Sequence, residues 1–520
     1  MPVSVSYPGL YIEELPLNSH TIAAAPTSVA AFVGYTHPYK TKAFGQAVRI
    51  FGFSDYEAAF GGLYTSGLVD SNVARAVYQF FLNGGSDAYV VGLKPLMHDS
   101  GGGSTEFTNP AVAFTATVPT TGGGMVFTAR ELADIVPMKV AITNVRAIAP
   151  SVVLNTFDVI VTYGSRIETY RGVQVGGDPN LAPDKMINGA SSLVQVAGGP
   201  GFGTALAGVS TTTFTMTPPA GFTTTFDIGD FLDVFEPDTS LDKVQIFNML
   251  LTPGVSDNAV LSAALSFAER KRAFAIVDPP EMAAADSSGS LPAIDTFLPL
   301  IPRSQNGALY FPYLLSTDPV TSATISVPPS GYVAGIYARI DTRRGVWKAP
   351  AGLETTVLNT VGPVPTGLMT DPRHGVLNLE SINVLRNFSD SGTVVFGART
   401  LVADNEAYAQ SKYVPVRRMT LFLEQTLLAN LRWVVFEPND EPLWIAIRTS
   451  IENFLLSLFN QGALQGSKPS EAFQVKCDSS TTTPDDQQNG IVNIVVAFAP
   501  LKPAEFVVIK IAQLAGQSAS

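Results

Sequence analysis

The sequence is short of charge, histidine and cysteine, and each shortage closes off a class of function. Lys, Arg, Asp and Glu make up 15% of the 520 residues, against about 25% in an ordinary soluble chain. The hydrophobic fraction, 46%, is ordinary, so Thr, Ser, Gly, Pro and Asn fill the gap. Disorder goes with low hydrophobicity and high charge and is not expected. The charge that remains is acidic, net −12, which is the wrong sign for a nucleic-acid module. Arg270-Lys271-Arg272, Arg343-Arg344 and Arg417-Arg418 are too short to track a phosphate backbone. A single cysteine, Cys477, excludes an intrachain disulfide framework. No stretch approaches the roughly 18 apolar residues of a membrane span, so no direct membrane insertion is expected. The opening residues reach Glu13 and Glu14 before any apolar run and carry no basic n-region. A Sec signal is therefore not expected, and synthesis in a cytoplasm is.

Enzyme signatures are missing as well. The four histidines, His20, His37, His98 and His374, lie far apart and read as solvated loop residues. There is no H-E-x-x-H, no paired C-x-x-C and no G-x-S-x-G. Gly198 to Gly208 misses both the dinucleotide and the P-loop spacing, and Gly462 to Lys468 misses the latter. Asp278-Pro-Pro-Glu281, Asp341-Thr-Arg-Arg344 and Glu437-Pro-Asn-Asp440 sit where Asp and Asn cap and turn. Cys477 ends a strand with no helix N-terminus or basic cluster in its own segment and reads as buried or semi-buried filler. The expectation is no catalytic, cofactor or metal site.

The pattern of residues predicts an α/β and α+β multidomain chain. Residues 1–20 form an extended arm, because Pro2, Pro8 and Pro16 discourage helix while Tyr7 and Leu10-Tyr11-Ile12 suit a strand. Residues 21–98 form an α/β segment. Its strands are Ser28–Gly34, Ala47–Phe51 and the parallel return Ala88–Leu93. Ser54 to Glu57 has capping-box spacing, and a helix over Ser71–Asn83 is closed by Gly84. Residues 99–240 are Thr-, Val- and Gly-rich with alternating stretches such as Thr156–Tyr163 and Arg166–Val173, which reads as a small all-β insertion. Residues 241–375 resume the α/β pattern. Val244–Leu250 is a strand, Asp257 caps a helix, and Ala273–Val277 returns, a βαβ unit with right-handed crossover. Residues 376–503 form an α+β unit. Its helices span about Arg418–Trp433 and Glu441–Asn460, followed by strands Phe473–Cys477 and Ile491–Phe498. Residues 504–520 form a second arm with a strand at Glu505–Ile511. Either the end strands close the chain's own sheet, or they add to a neighbouring copy by β-augmentation.

Several ordered motifs carry a resemblance. Ser6-Tyr-Pro-Gly-Leu-Tyr-Ile-Glu-Glu14, Thr27-Ser-Val-Ala-Ala-Phe-Val-Gly34, Phe60-Gly-Gly62 and Phe80-Phe-Leu-Asn-Gly-Gly85 come first. Phe274-Ala-Ile-Val-Asp-Pro-Pro280, Ser330-Gly-Tyr-Val-Ala-Gly-Ile-Tyr-Ala-Arg339 and Gly345-Val-Trp-Lys-Ala-Pro-Ala-Gly352 follow. Gly397-Ala-Arg-Thr-Leu401, Val416-Arg-Arg418, Phe436-Glu-Pro-Asn439 and Pro503-Ala-Glu-Phe506 complete the set. Together they resemble the contractile tail sheath family of phages and phage-like injection machines. The resemblance implies a structural subunit, not an enzyme, and no cofactor. It would polymerise helically around an inner tail tube protein and meet baseplate and tail-terminator or cap proteins, in a virion tail or phage-like particle. It implies inter-subunit arm strands at Tyr7, Leu10, Tyr11, Ile12, Glu13 and Glu14, and at Phe506, Val508, Ile509 and Ile511. The insertion would lie outward, and the helix bearing Glu441, Arg448 and Glu452 would face the tube. A reading from another class is a secreted α/β hydrolase or carbohydrate-binding protein with a β insertion.

Overall fold

The computed structural model describes residues 20–511 apart from 100–102, 108–112, 150–151, 199–200, 207–210, 218–221, 224–225, 282–293, 295–296, 298, 365–368 and 404. The chain divides into two compact units. One comprises Thr27–Arg343 with Pro350–Val414. The other comprises Arg344–Ala349 with the described parts of Met1–Pro26 and Pro415–Ser520.

In the first unit, β1 (Ala30–Tyr35) is buried along its whole length, as its unbroken apolar run demands. It is followed by β2 (Ala47–Ile50), α1 (Phe53–Phe60), α2 (Asn72–Asn83) and β3 (Ala88–Leu93). α2 buries Val73, Ala76, Val77 and Phe80 and ends on Gly84 in the left-handed region. The expected capping box at Ser54 does not form. α1 starts two residues earlier, with Gly52 at its N-cap, and the Asp55 carboxylate accepts from the Phe51 N–H.

Strands dominate the next stretch: β4 (Leu96–Asp99), β5 (Ser104–Glu106), β6 (Thr115–Thr120), β7 (Gly123–Ala129), β8 (Met138–Ala149), β9 (Val152–Tyr163), β10 (Arg166–Val175), β11 (Val194–Gly198), β12 (Thr212–Thr215) and β13 (Phe222–Thr223). They form small sheets ordered β10-β9-β8-β12, β11-β7-β6 and β13-β4-β5. Residues 99–240 are nevertheless not all β. The helix α3 (Pro183–Ile187) lies among the strands. The helix α4 (Ile228–Phe235) starts on the Asp227 side chain and buries Phe231, Val234 and Phe235. Its Phe231 ring meets Tyr35 edge-on, and Asp230 accepts from the Tyr35 hydroxyl at 2.8 Å, which ties α4 to the end of β1.

The α/β pattern returns with β14 (Met249–Leu251), α5 (Asn258–Lys271), β15 (Phe274–Val277), β16 (Gly307–Phe311), β17 (Leu314–Thr317), β18 (Thr324–Val327), α6 (Ser330–Arg344), β19 (Gly362–Pro363), α7 (Asp371–Leu379), β20 (Ile382–Phe388) and β21 (Gly392–Val395). β14 begins five residues after Val244, because Leu241 to Val244 close turns instead. Asp257 caps α5 as expected, accepting from the Ala259 and Val260 N–H groups. The main sheet has the order β2-β3-β1-β14-β15-β16-β20-β21, parallel from β3 to β20 with an antiparallel strand at each edge. β20 and β21 thus join this sheet, so the stretch from 376 to Val414 groups with the sheet unit and not with the residues after it.

Two devices lock this unit. α2 and α6 touch backbone to backbone: a Cβ on Gly331 would stand 2.4 Å from the Ala76 carbonyl oxygen, and one on Gly335 2.6 Å from that of Phe80. The Asp278 carboxylate, at the end of β15, accepts from the Ser330 N–H at 2.8 Å, the Ser330 hydroxyl at 2.6 Å and the Gly254 N–H at 2.9 Å. It therefore caps α6 from outside the helix, satisfying a buried donor that would otherwise cost about 1–3 kcal/mol.

The second unit contains α8 (Val414–Asn430), α9 (Glu441–Asn460), α10 (Pro469–Ala472), β22 (Phe473–Lys476), α11 (Pro484–Gln488) and β23 (Val495–Phe498). α8 starts earlier and stops sooner than expected, with a short 3-10 turn over Arg432–Val434. α9 spans Glu441–Asn460 as its pattern predicts, capped by Asp440. Its stripe of Trp444, Ile447, Ile451, Phe454, Leu455 and Leu458 packs with Met419, Phe422, Leu423, Ile22 and Val346. Each such side chain contributes about 1.5–3 kcal/mol on burial.

Replacing Gly331 by Ala forces a methyl into the Ala76 backbone and should destabilise the sheet unit by about 1–3 kcal/mol, read as a lower urea midpoint. An unchanged midpoint would show that the two helices can part.

Candidate interaction site: a two-stranded hairpin and an exposed tail

Open parallel sheets bind ligands where the strand order reverses, here between β1 and β14. That crevice is filled by the chain itself. A Cβ on Gly34 would meet Val73 at 2.6 Å, and one on Gly254 would meet Asn72 at 2.2 Å. Asp278, the nearest carboxylate at the strand ends, is engaged by Ser330 and Gly254. Among the described residues no group of three His, Cys, Asp or Glu could hold a metal ion, and no helix is long and apolar enough to cross a membrane.

The histidines are dispersed, but not all are solvated. His20 is exposed and stacks on Trp433 at 3.8 Å, His98 lies in β4, and His374 lies in α7. His37 is fully buried, contrary to its loop-like sequence context. Its Nε2–H donates to Glu131 at 3.0 Å, and its Nδ1 accepts from the Tyr39 N–H at 3.3 Å, which fixes a neutral ring. Lys40 and Arg166 also donate to Glu131. The cluster joins the end of β1 to residues beyond β7 and at the start of β10, a structural knot rather than a reaction centre. Burial lowers the His37 pKa, with Glu131 opposing. Burial also disfavours the Glu131 carboxylate, yet His37 and Lys40 outweigh it and hold that pKa at about 2.

The exposed chemistry of the second unit is of another kind. β22 and β23 form a two-stranded antiparallel sheet, pairing Phe473 with Phe498 and Lys476 with Val495. Neither outer edge has a ladder partner among the described residues. Such a hairpin is marginal alone, and an open edge is a template for another strand. β23 is shorter than the expected Ile491–Phe498, its first residues being drawn into contacts with α11. The segment expected to form a last strand, Glu505–Ile511, is not a strand and joins no ladder among the described residues. Phe506, Val508, Ile509 and Ile511 are 72%, 79%, 78% and 92% exposed. Composition favoured a strand there, but a strand exists only with a partner. Tyr7, Leu10, Tyr11, Ile12, Glu13 and Glu14 lie outside the described residues.

Glu441, Arg448 and Glu452 fall along one side of α9, at the flank of its buried stripe. Arg448 also reaches toward the residues after β22. The Asp478 carboxyl lies below its ordinary range, first through Ser480 and then through Arg448. Sequence reasoning gave no sign of Phe436, which is fully exposed with a left-handed φ of 72°. Nor did it show the root of the first arm. There Asn430 exchanges hydrogen bonds with the Ala23 backbone, and Thr426 accepts from the Ala25 N–H.

Comparison with known proteins places the chain in a family. The phage tail sheath protein central domain matches residues 238–401, and the phage tail sheath C-terminal domain matches residues 406–513. The two span just over half of the sequence, and the chain belongs to the contractile tail sheath family. The tail sheath protein of Salmonella phage ViI is 27% identical over 159 residues, covering 31% of this chain and 24% of that protein. That of Burkholderia phage BcepMu is 26% identical over 162 residues, covering 31% and 34%. The matched stretch thus spans about a quarter to a third of these relatives. The fold extends further. The helical sheath of the anti-feeding prophage in its contracted state aligns over 98% of this chain and 100% of its own, with TM-score 0.58 and 24% identity. The contracted PVC sheath of an extracellular contractile injection system aligns over 98% and 99%, with TM-score 0.57 and 22% identity.

Two outcomes follow from the buried groups. Protonating His37 breaks its bond from Tyr39 and sets a third cation beside one carboxylate, so its contribution is present above about pH 6.5 and lost as pH falls. Glu131 acts in the same direction between 4.5 and about 2. Asp278, pushed up to about 6 by burial, acts oppositely, being most favourable below 3.8. The difference between wild type and His37→Gln isolates the ring: the variant should lose less stability between pH 7 and pH 4, and parallel profiles would refute the assignment. Cys477 is buried and its thiol is pushed up by that burial. In the native chain it should react with a thiol reagent roughly 100-fold more slowly than in the denatured chain. Equal rates would mean that the second unit opens freely.

Proposed function

We propose that the chain is a structural subunit of a contractile sheath, which polymerises helically around an inner tube and drives it through a target envelope on shortening. One observation carries the reading: a hairpin whose outer edges have no ladder partner among the described residues and an exposed apolar tail occur in the same unit. Neighbouring copies can cover both by β-augmentation. An arm pairing over six residues makes about six backbone bonds, worth several kcal/mol at roughly 0.5–1.5 kcal/mol each. A heterologous contact of this kind that does not close on itself generates a helix.

The arms at about 3–15 and 504–514 are the donated strands, and the β-rich stretch 99–240 lies outward. The flank of α9 with Glu441, Arg448 and Glu452 faces the tube. The remaining partners are baseplate and tail-terminator or cap proteins, in a phage tail or a phage-like particle made in a bacterial cytoplasm. The free energy of contraction is stored at assembly behind a kinetic barrier, with no cofactor and no catalysis. The filled switch-point crevice supports this over a hydrolase or a carbohydrate-binding protein.

Removing residues 501–520, or 1–15, should leave a folded, soluble body that no longer forms rods in negative-stain electron microscopy. Rods from either truncated chain would refute the donated-strand role, and monodisperse monomers of the intact chain at high concentration would count against a sheath.

A further inference from the structure

Four Asn-Gly pairs occur in the chain: Asn83-Gly84, Asn188-Gly189, Asn306-Gly307 and Asn489-Gly490. Asparagine is thermolabile, and most so before glycine, where no Cβ shields the following backbone nitrogen from the asparagine side chain. The fold treats the four pairs differently. Asn83 is buried. Its Nδ2 donates to the Gln79 and Leu358 carbonyls at 3.0 and 3.3 Å, and its Oδ1 accepts from the Leu358 N–H at 2.8 Å. Asn306 is buried as well and donates to the Ala273 carbonyl at 3.1 Å, while Gly307 begins β16 inside the main sheet. Asn188 is clamped at both ends of its amide by the Val196 backbone in β11, at 2.7 and 3.0 Å. Asn489 and Gly490 are both exposed, directly after the five-residue α11. Among the described residues one bond holds the Asn489 amide, from Nδ2 to the Asp485 carbonyl at 2.9 Å. Gly490 has a left-handed φ of 70°, and its N–H donates to the Gln487 carbonyl at 3.1 Å.

We propose that Asn489 is a covalent modification site, at which the side-chain amide is lost through a cyclic imide formed with the Gly490 nitrogen. The step requires the Gly490 N–H to leave the Gln487 carbonyl and turn toward Cγ of Asn489. That rearrangement is confined to the last turn of an exposed helix, among the least costly openings in the chain. The Gly490 nitrogen gives its proton to hydroxide and bonds to Cγ. The Cγ–Nδ2 bond breaks, and Nδ2 takes a proton from water and departs as ammonia. Water then opens the ring at either carbonyl, leaving aspartate or its isomer in which the chain runs through the former side chain. Nothing is oxidised or reduced. The product alters the charge around it. Gln487 donates to the Asn439 carbonyl at 3.1 Å, and Asn439 donates to that of Ile491 at 3.0 Å. These bonds bring Asp485 and Asp486 of α11 together with Glu437, Asp440 and Glu441, and none of the five has an ion pair among the described residues. A new carboxylate at 489 stands four and three residues from Asp485 and Asp486, the spacing at which like charges destabilise a helix. It also sets an acceptor against the Asp485 carbonyl, where Nδ2 had donated. Modification therefore loosens α11 and its hold on the turn of the β22–β23 hairpin. This inference does not depend on the sheath reading.

The test uses the full chain, held in warm, mildly alkaline buffer and then digested for mass spectrometry. The peptide containing Asn489 should gain one mass unit and separate into an aspartate and an isoaspartate form. In heavy-oxygen water it should also take up the heavy isotope, the mark of ring opening. It should react at least about tenfold faster than the peptides of Asn83, Asn188 and Asn306, in keeping with its cheaper local opening. In the denatured chain all four should react at similar rates, because the dipeptide is the same. Four equal rates in the native chain, or an Asn489 as slow as the other three, overturns the proposal. The consequence is tested with Asn489→Asp, which should speed backbone hydrogen exchange over residues 484–494 and leave the strands of the main sheet unchanged. Exchange indistinguishable from the wild type over that segment refutes the loosening of α11.

Discussion

Every strand edge carries backbone groups that must find partners, and most of what distinguishes this chain follows from where that demand is met internally and where it is not. In the main sheet it is met. β1 is paired on both sides, and the antiparallel edge strands β2 and β21 finish the sheet. In the second unit it is met less fully among the described residues: the hairpin has one ladder there, and Leu501 to Ile511 form no strand. A monomer that leaves Phe506, Val507, Val508 and Ile509 in water is incomplete as a physical object, because large exposed apolar runs are rarely tolerated in solitary proteins.

The sheet unit is constructed in the opposite sense, to resist change. Gly331 and Gly335 let α6 lie directly on α2, a packing that permits little sliding because any separation exposes backbone. Asp278 ties three segments through one carboxylate, and the His37–Glu131 cluster ties the end of β1 to the β-rich stretch. The Tyr310 and Tyr337 hydroxyls meet at 2.6 Å between β16 and α6. A body held at this many independent points resists internal rearrangement.

Local signals were legible wherever one element decides its own form. Asp257 before an apolar stripe announces α5, Gly84 closes α2, and the pattern from Glu441 to Asn460 gives α9 residue for residue. What escaped is decided by distant partners. Ser54 has the right spacing for a cap, but Asp55 takes the free N–H group of Phe51 instead. His37 lies beside Pro38 as a turn histidine would, yet a glutamate 94 residues on buries it. α4 hides in a Thr-rich stretch because its purpose, covering β1, is tertiary. Glu505–Ile511 has the composition of a strand, and composition cannot supply the second strand. The open edges of the hairpin were equally invisible, since an edge is defined by what fails to pair with it.

The scarcity of charge bears on the last of these points. Thr, Ser and Asn can be covered at an interface without stranding a desolvated ion, a cost of several kcal/mol where it occurs. In a chain with 15% charged residues, five carboxylates without an ion pair among the described residues, gathered at one end of a four-residue ladder, stand out against a sparsely charged background. Charges separated by more than about 8–10 Å are screened at physiological salt, so such a cluster acts only on what docks beside it. A ladder of that length is short enough for its two ends to be read separately: four residues at about 3.3 Å each span about 13 Å, a little more than the screening length. Low charge elsewhere and concentrated charge here are therefore two halves of one arrangement. The neutral faces permit close packing with little desolvation cost.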